Sequence, residues 1–471
     1  MNWLPPVKEL KKTKKAEAIF NALKESILSG KLSLGQKLPS TRDIAKYYNV
    51  DKSTILEAIK LLKSFGLVET TIGSGVIVSP VYPNLPFSSS IDIIEKTEQK
   101  EEISKEEDLK FYFLMPEKNL FPYNILKNLL EEIIEEEKEN LFEYKDPMGY
   151  LPLRKWISER IKTNLRDVMI VNGAQQGLSI LCQLFLSAQS KVLIEEPTYP
   201  GIIPLLKLYN ADVSTIPIKQ NGLCISTLKH YLSSPFKFLY LQPSNQNPTG
   251  ITLPESVRLE IIKNLPKHQI CLIEDSAEPI FEEKRTIYEL DPLKRVINIG
   301  SFSKAFIPGF RIGWICGPEE LIKKAIYLKA LQDLQTPLLL QILIYKFINS
   351  KDFIVYLKNM KISLKKKTEF IKKLLRKYFP EINLNIQENS QGIWFPLPVG
   401  FSSSYVEKKL EEKGMKVANG EKFFFQKNQK QYIRIAHLNS TEEDLKNLFL
   451  ELKNVLNKAP EKKEHKIALI I

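Results

Sequence analysis

The amino-acid sequence predicts a two-part protein: a small helical block closed by a β-hairpin, then a larger α/β domain ending in a smaller α+β lobe. Three observations lead there. Between residues 15 and 66, apolar side chains recur at helical spacing in separate stretches, and a run broken at Gly73 and Gly75 follows. Residues 80–108 shift to prolines, serines and a Glu/Lys-rich run that lacks the apolar surface to fold alone. From residue 109 on, short apolar runs alternate with longer helical stretches, the pattern of a mainly parallel sheet with helices on both faces. The domain reading is therefore 1–79, a linker at 80–108, 109–458 with the smaller lobe at about 350–456, and a tail at 459–471.

At 43% hydrophobic and 26% charged residues, the 471-residue chain can bury real cores and is neither a disordered nor a fibrous sequence. Its cysteines (Cys182, Cys224, Cys271, Cys316) are scattered with no CxxC pair, so neither a disulfide framework nor a metal site is indicated, and a reducing, cytoplasmic setting is expected. The N-terminus has no apolar signal core. The longest apolar run, residues 337–348, contains Gln341 and Lys346 and is too short to span a bilayer, so no membrane role is expected. Net charge is +13, and it is sorted along the chain: residues 1–80 hold thirteen Lys/Arg against seven Asp/Glu, whereas 91–110 hold four against eight. A basic head on an acidic tether suits a nucleic-acid binder.

In the first block, Ala16 to Ser29 carries Ile19, Leu23 and Ile27 on one face and stops at Gly30. Ser40-Thr-Arg-Asp43 is a capping-box pattern opening a short helix through Tyr47. Asn49 makes the turn, and Asp51 is expected to cap a third helix, on which Ile55, Ile59 and Leu62 share a face and which Gly66 ends. Leu67 to Val78 reads as a hairpin. Helix, helix-turn-helix and hairpin is the order of a winged helix-turn-helix. Lys52, Ser53 and Thr54 then occupy the exposed first turn of the recognition helix, Arg42 flanks them towards a phosphate, and Gly73 and Gly75 shape the wing, with double-stranded DNA as the partner. A helical cap without a ligand would share the element order, but not the basic charge or the exposed Lys/Ser/Thr turn. The block resembles GntR-type winged-helix regulators through Leu28-Ser-Gly-Lys-Leu32, Gly35-Gln-Lys-Leu-Pro-Ser-Thr-Arg-Asp-Ile-Ala45, Thr54-Ile-Leu-Glu-Ala58, Phe65-Gly-Leu-Val68 and Gly73-Ser-Gly75.

In α/β sheets ligands sit at the carboxyl ends of strands, and the motifs of the second domain fall there. The run Val168–Val171 leads into Asn172-Gly-Ala-Gln175, a small-residue turn whose N–H groups suit a phosphate; the turn is Gly173, Ala174 and Gln175. Lys191–Ile194 leads into Glu195-Glu-Pro-Thr-Tyr199, expected to expose the Tyr199 ring for stacking on a flat heterocycle. Phe238–Gln242 leads to Asn247, a donor for a cofactor oxygen. Ile270–Ile273 leads to Glu274-Asp275, whose carboxylate either pairs with a protonated ring nitrogen or caps a helix. Val296–Ile299 precedes Ser301-Phe-Ser-Lys304 and Arg311. Lys304 is a candidate for a Schiff base with an aldehyde, and Ser301, Ser303 and Arg311 supply donors to a phosphate.

This second part resembles the fold-type I PLP aminotransferases over about 340 residues, through Asn247-Pro-Thr-Gly250, Ser301-x-Ser-Lys304 with Arg311, and Tyr432-Ile-Arg-Ile-Ala436. The resemblance implies that pyridoxal 5'-phosphate (PLP) is held by Lys304, with Asp275 facing the pyridine nitrogen, Asn247 on the phenolic oxygen and Tyr199 stacked on the ring. It also implies that Arg434 clamps a substrate carboxylate and that Tyr144 reaches the phosphate of a neighbouring subunit. The fusion is similar to MocR-type regulators, dimers in which each DNA-binding head crosses to the partner and an aminotransferase-like domain serves as sensor. Two departures bear on chemistry. Asp275-Ser-Ala-Glu278 lacks the tyrosine that the family carries two or three residues after the aspartate, and Phe113-Leu-Met-Pro116 replaces a glycine-containing, substrate-touching segment. The expected function is therefore a PLP-dependent transcription regulator sensing an amine, an amino acid or PLP itself. The alternative is a working aminotransferase with an accessory DNA-binding head.

Overall fold

The computed structural model describes residues 5, 15–29, 31–33, 35–71, 75–79, 110–219, 222–232, 235–266, 272–276, 284–303, 307–426 and 431–458. The chain divides into two compact units, Met1–Ser89 and Ser90–Ile471. The expected linker at 80–108 and the tail at 459–471 lie outside the described residues.

The first unit has helices α1 (Lys15–Leu28), α2 (Thr41–Tyr48) and α3 (Lys52–Ser64), then strands β1 (Val68–Thr71) and β2 (Gly75–Val78), paired antiparallel. Ile19, Leu23, Ile27, Ile44, Ile55, Ile59, Leu62, Val76 and Val78 close one core, so the apolar stripes of all three helices meet the hairpin. Ser40 caps α2 by accepting from the Asp43 N–H, and Asn49 ends it in the left-handed region at φ 50°. One expectation fails: Asp51 occupies the N-cap position of α3, but its side chain makes no cap hydrogen bond.

In the second unit an eight-stranded sheet runs in the order β3-β10-β9-β8-β7-β4-β5-β6. Its strands are β3 (Val168–Val171), β4 (Lys191–Glu196), β5 (Asp212–Lys219), β6 (Gly222–Leu223), β7 (Leu239–Leu241), β8 (Leu272–Ser276), β9 (Val296–Ser301) and β10 (Gly313–Cys316). The central strands β5, β4, β7, β8 and β9 are parallel; β10 lies antiparallel between β9 and β3. Strand alternation covers both faces. Met169 and Val171 pack on one side with Leu178, Leu181, Ile202 and Ile322, whereas Val168 and Ile170 pack on the other with Leu153, Ile157, Ile344 and Phe347. A three-stranded sheet, β11 (Gly392–Pro396), β13 (Tyr432–Ala436) and β12 (Ala418–Asn419), forms the smaller lobe with helices Lys351–Tyr378, Ser403–Glu411 and Glu442–Asn457.

The structure corrects the sequence reading in three places. β5, β6 and the antiparallel β10 are additional strands. Glu195, Glu196, Glu274 and Asp275 belong to strands rather than to the turns after them. Tyr199 is half-buried against the core rather than exposed. In each case neighbouring strands and helices supply a burial that local sequence does not announce.

Candidate functional site

In the first unit Arg42, Lys52 and Ser53 are exposed and Thr54 is half-buried, all on α2 or the first turn of α3. Gly75 sits at φ +90° on the hairpin, and a Cβ there would lie 3.1 Å from the Lys37 Cε. Lys37 bridges to Ile77 and is exposed, which adds a cation beside the wing that sequence reading missed; its only signal was charge. Gly73 lies outside the described residues.

The second site is built on strand ends. The helix Gly173–Phe185 follows β3, and Gly173 has φ +75°. A Cβ at Gly173 would lie 2.6 Å from the Arg311 Nη2, so only glycine lets the guanidinium approach the helix N-terminus this closely. Arg311 Nη1 donates to Ser303 Oγ (3.4 Å), and the Ser303 N–H donates to Ser301 Oγ (3.0 Å). Gln175 Nε2 donates to the Gly201 carbonyl (2.8 Å), tying the turn to the loop that carries Tyr199. Guanidinium, hydroxyls and a helix N-terminus together suit a phosphate. Lys304 lies outside the described residues.

Strand alternation on β8 separates the two acids. Glu274 accepts the N–H groups of Ile287 (2.8 Å) and Tyr288 (2.9 Å) and so caps the short helix Ile287–Leu290, while Asp275 faces the other way. The Asp275 Oδ2 accepts from Tyr240 Oη (2.6 Å) and Gln242 Nε2 (2.8 Å). Gln242 also accepts the Asn247 N–H through Oε1 (3.1 Å), so one amide ties Asp275 to Asn247. Its backbone N–H donates to Glu195 Oε1 (3.0 Å), which Gln246 Nε2 also reaches (3.1 Å). Complete burial, and secondarily the nearby Asp275 charge, pushes the Glu195 carboxyl well above the usual carboxylate range. Tyr240, Gln242 and Glu195 escaped sequence reading; the one visible hint was Tyr240 and Gln242 at alternate positions of an apolar strand.

Arg434, on the central strand β13 between Trp394 and Ala418, donates through Nη1 to Asn247 Oδ1 (3.1 Å) and through Nη2 to the Tyr112 carbonyl. Its guanidinium lies over the Phe423 ring at 5.5 Å, and its Nε is buried without a hydrogen-bond partner among the described residues. Burial pushes the Arg434 pKa down to about 10, still far above neutrality. The Tyr199 hydroxyl is pushed up to about 12, chiefly by burial and then by Asp275, opposed by Arg311 and Arg434. Hydrogen bonds link Asp275 to Arg434 through Gln242 and Asn247, and the Gly173 turn that Arg311 approaches is tied through Gln175 to the Gly201 loop after Tyr199. Tyr144, by contrast, is 81% exposed and joins none of these hydrogen bonds. Among the described residues no helix is long and apolar enough to cross a membrane, and no three His, Cys, Asp or Glu are grouped to hold a metal ion.

Residues 117–452 match the family described as aminotransferase class I and II, and residues 15–78 match the bacterial regulatory proteins of the gntR family. An uncharacterized HTH-type transcriptional regulator of Bacillus subtilis, YdfD, is 27% identical over 95% of this chain and 97% of its own length. The HTH-type transcriptional regulator NorG of Staphylococcus aureus is 26% identical over 90% of this chain and 100% of its own. Among solved structures, the α-aminoadipate aminotransferase LysN of Thermus thermophilus, complexed with N-(5'-phosphopyridoxyl)-L-leucine, matches with a TM-score of 0.71 and 26% identity over 79% of this chain and 97% of that one. PLP is the cofactor that the aminotransferase match implies. The residues present fit it: the cradle at Gly173 and Arg311 that a Cβ would fill suits its phosphate, and the buried Asp275 carboxylate suits its ring nitrogen. The chain belongs to the class I and II aminotransferase family and carries a gntR-family DNA-binding head, the combination found in HTH-type transcriptional regulators.

Proposed function

We propose that this chain regulates transcription through its winged-helix head and uses its aminotransferase-like unit as a PLP-dependent sensor of an amine, an amino acid or PLP itself. The observation that carries the sensor reading is the buried Asp275, held by Tyr240 and Gln242 and tied through Gln242 to Asn247, which in turn meets Arg434. When bound, PLP would supply an electrophilic carbon for amine chemistry, and Lys304 is the residue that would hold it. The chain's own groups do the rest. Gly173, Ala174, Gln175, Ser301, Ser303 and Arg311 hold the phosphate. Asp275 keeps a proton on the ring nitrogen, Tyr199 covers the ring, and Asn247 bonds the phenolic oxygen. Arg434 clamps a ligand carboxylate. A sensor is favoured over a turnover enzyme because the tyrosine is missing after Asp275; the neighbouring Ser276 of β8 accepts from Asn298 Nδ2 of β9 (3.1 Å).

In the head, Arg42 and the Lys52-Ser53-Thr54 turn bind operator DNA, with Gly73 and Gly75 shaping the wing. The assembly is a cytoplasmic homodimer with crossed heads, in which Tyr144 reaches the neighbour's phosphate. Supporting it, Phe142, Tyr144, Tyr327 and Leu331 are 89%, 81%, 68% and 69% exposed, apolar area that a second copy would cover.

The test adds PLP, then candidate amines, to the purified protein while cofactor absorbance and anisotropy of an operator fragment are followed together. Both signals are expected to move, borohydride is expected to fix PLP to Lys304, and Lys304→Ala is expected to abolish the ligand response. Protein that binds no PLP would overturn the sensor reading. The likeness to LysN favours a second reading, a working aminotransferase. Steady turnover that survives removal of residues 1–80 would establish it.

A further inference from the structure

Asn172 stands at the N-cap of the Gly173–Phe185 helix, where asparagine ordinarily turns its side-chain oxygen onto a first-turn N–H. Here it makes no such bond. Its Nδ2 donates instead to Asp333 Oδ2 (2.5 Å), at the last residue of the helix Glu319–Asp333. The same oxygen accepts from Gln176 Nε2 (2.6 Å), and Gln176 Oε1 takes the Asn172 N–H (2.7 Å). Behind them the fully buried Lys329 donates to Asp333 Oδ1 (2.9 Å), so a carboxylate close to an anion-binding turn carries its own counter-charge.

We propose that Asp333 is a positioning residue for the phosphate end of the site: it draws the Asn172 side chain off the helix and so keeps the first-turn N–H groups available to an anion. Lys329 neutralises the carboxylate that does so. The inference rests on the reading that the Gly173–Gln175 turn holds the PLP phosphate. Without Asp333, the Asn172 amide turns inward and caps the helix in competition with the ligand. Pyridoxal, which has no phosphate, does not meet that competition.

The experiment measures dissociation constants of full-length protein for PLP and for pyridoxal by equilibrium dialysis. Asp333→Asn is expected to weaken PLP roughly tenfold and pyridoxal by under about twofold, in line with the worth of one helix cap. Adding Asn172→Ala, which removes the competing cap, is expected to restore PLP affinity to within about threefold, a coupling that a merely structural role does not produce. Lys329→Met with Asp333→Asn, which leaves no unpaired buried lysine, is expected to show the same selective loss as Asp333→Asn alone. Equal weakening of both ligands, unchanged PLP affinity, or no rescue by Asn172→Ala would overturn the proposal. Arg311→Ala separates the two levels. If it lowers PLP affinity selectively while Asp333→Asn does not, the positioning role alone is wrong; if neither is selective, the phosphate reading falls with it.

Discussion

In the winged-helix head Arg42, Lys52 and Ser53 stand exposed on helix surfaces, whereas in the aminotransferase-like unit Asp275, Asn247 and Arg434 are 2%, 5% and 6% exposed. The difference follows from what each site meets. A polyanion is met from outside, through screened charges whose removal leaves the fold alone. A small cofactor is enclosed, and each polar group that faces it must be satisfied by neighbours when buried. Changes in the head should therefore move binding without stability, and changes in the buried site should move both.

The sharpest break would come from Asp275→Ala. It removes the proposed ring-nitrogen partner and leaves the Tyr240 hydroxyl and the Gln242 amide without this acceptor. PLP affinity is expected to fall by about 3 kcal/mol, on the order of a hundredfold by dialysis, with a lower urea midpoint for the same variant. A loss under tenfold would mean that the buried network does not hold the cofactor. Next comes Arg434→Leu, expected to weaken carboxylated effectors by about 2.5 kcal/mol in calorimetric titration while sparing the matching decarboxylated amines.

His437, fully buried after β13, tests the stability side. Burial, helped by Lys367, pushes its pKa from 6.5 down to about 3. Between those values the unfolded chain binds the proton and the folded chain does not, so stability is complete above about 6.5 and is lost as pH falls, by about 2 kcal/mol near pH 5. Urea midpoints measured across that range should flatten in His437→Leu; an unchanged acid slope would show that other groups govern it. The smallest effect belongs to the head. Arg42→Ala should cost about 1 kcal/mol of operator affinity, lower the salt slope by about 1, and leave the thermal midpoint in place. A drop in the thermal midpoint would erase the contrast between the two regions.

The head was largely legible in the sequence because its signals are local. Ser40 caps α2, Asn49 ends it, and Gly66 with φ +69° follows α3, each acting within a few residues. Asp51 failed as a cap, since a good N-cap residue type permits the hydrogen bond without forcing it. In the second unit the motif residues were legible, but their company was not. Tyr240 and Gln242 read as part of an apolar strand until β7 lies beside β8 with Leu241 opposite Glu274. Residue type and position left Glu274 and Asp275 alike, and only the family resemblance singled out Asp275; the fold separates them by turning Glu274 to the Ile287–Leu290 helix and Asp275 to Tyr240 and Gln242.

The sequence by itself determined which residue types stand at the strand ends, their order, and the joining of a DNA-reading block to a PLP-type domain. Period, capping and turn chemistry act over a few residues and are written locally. Only the tertiary structure decided that Arg434 meets Asn247 across 187 positions and that Asn172 is drawn to Asp333 across 161. Contacts at such separation depend on strand order and helix packing, and a carboxylate or amide can satisfy its hydrogen bonds with many partners until the fold presents one.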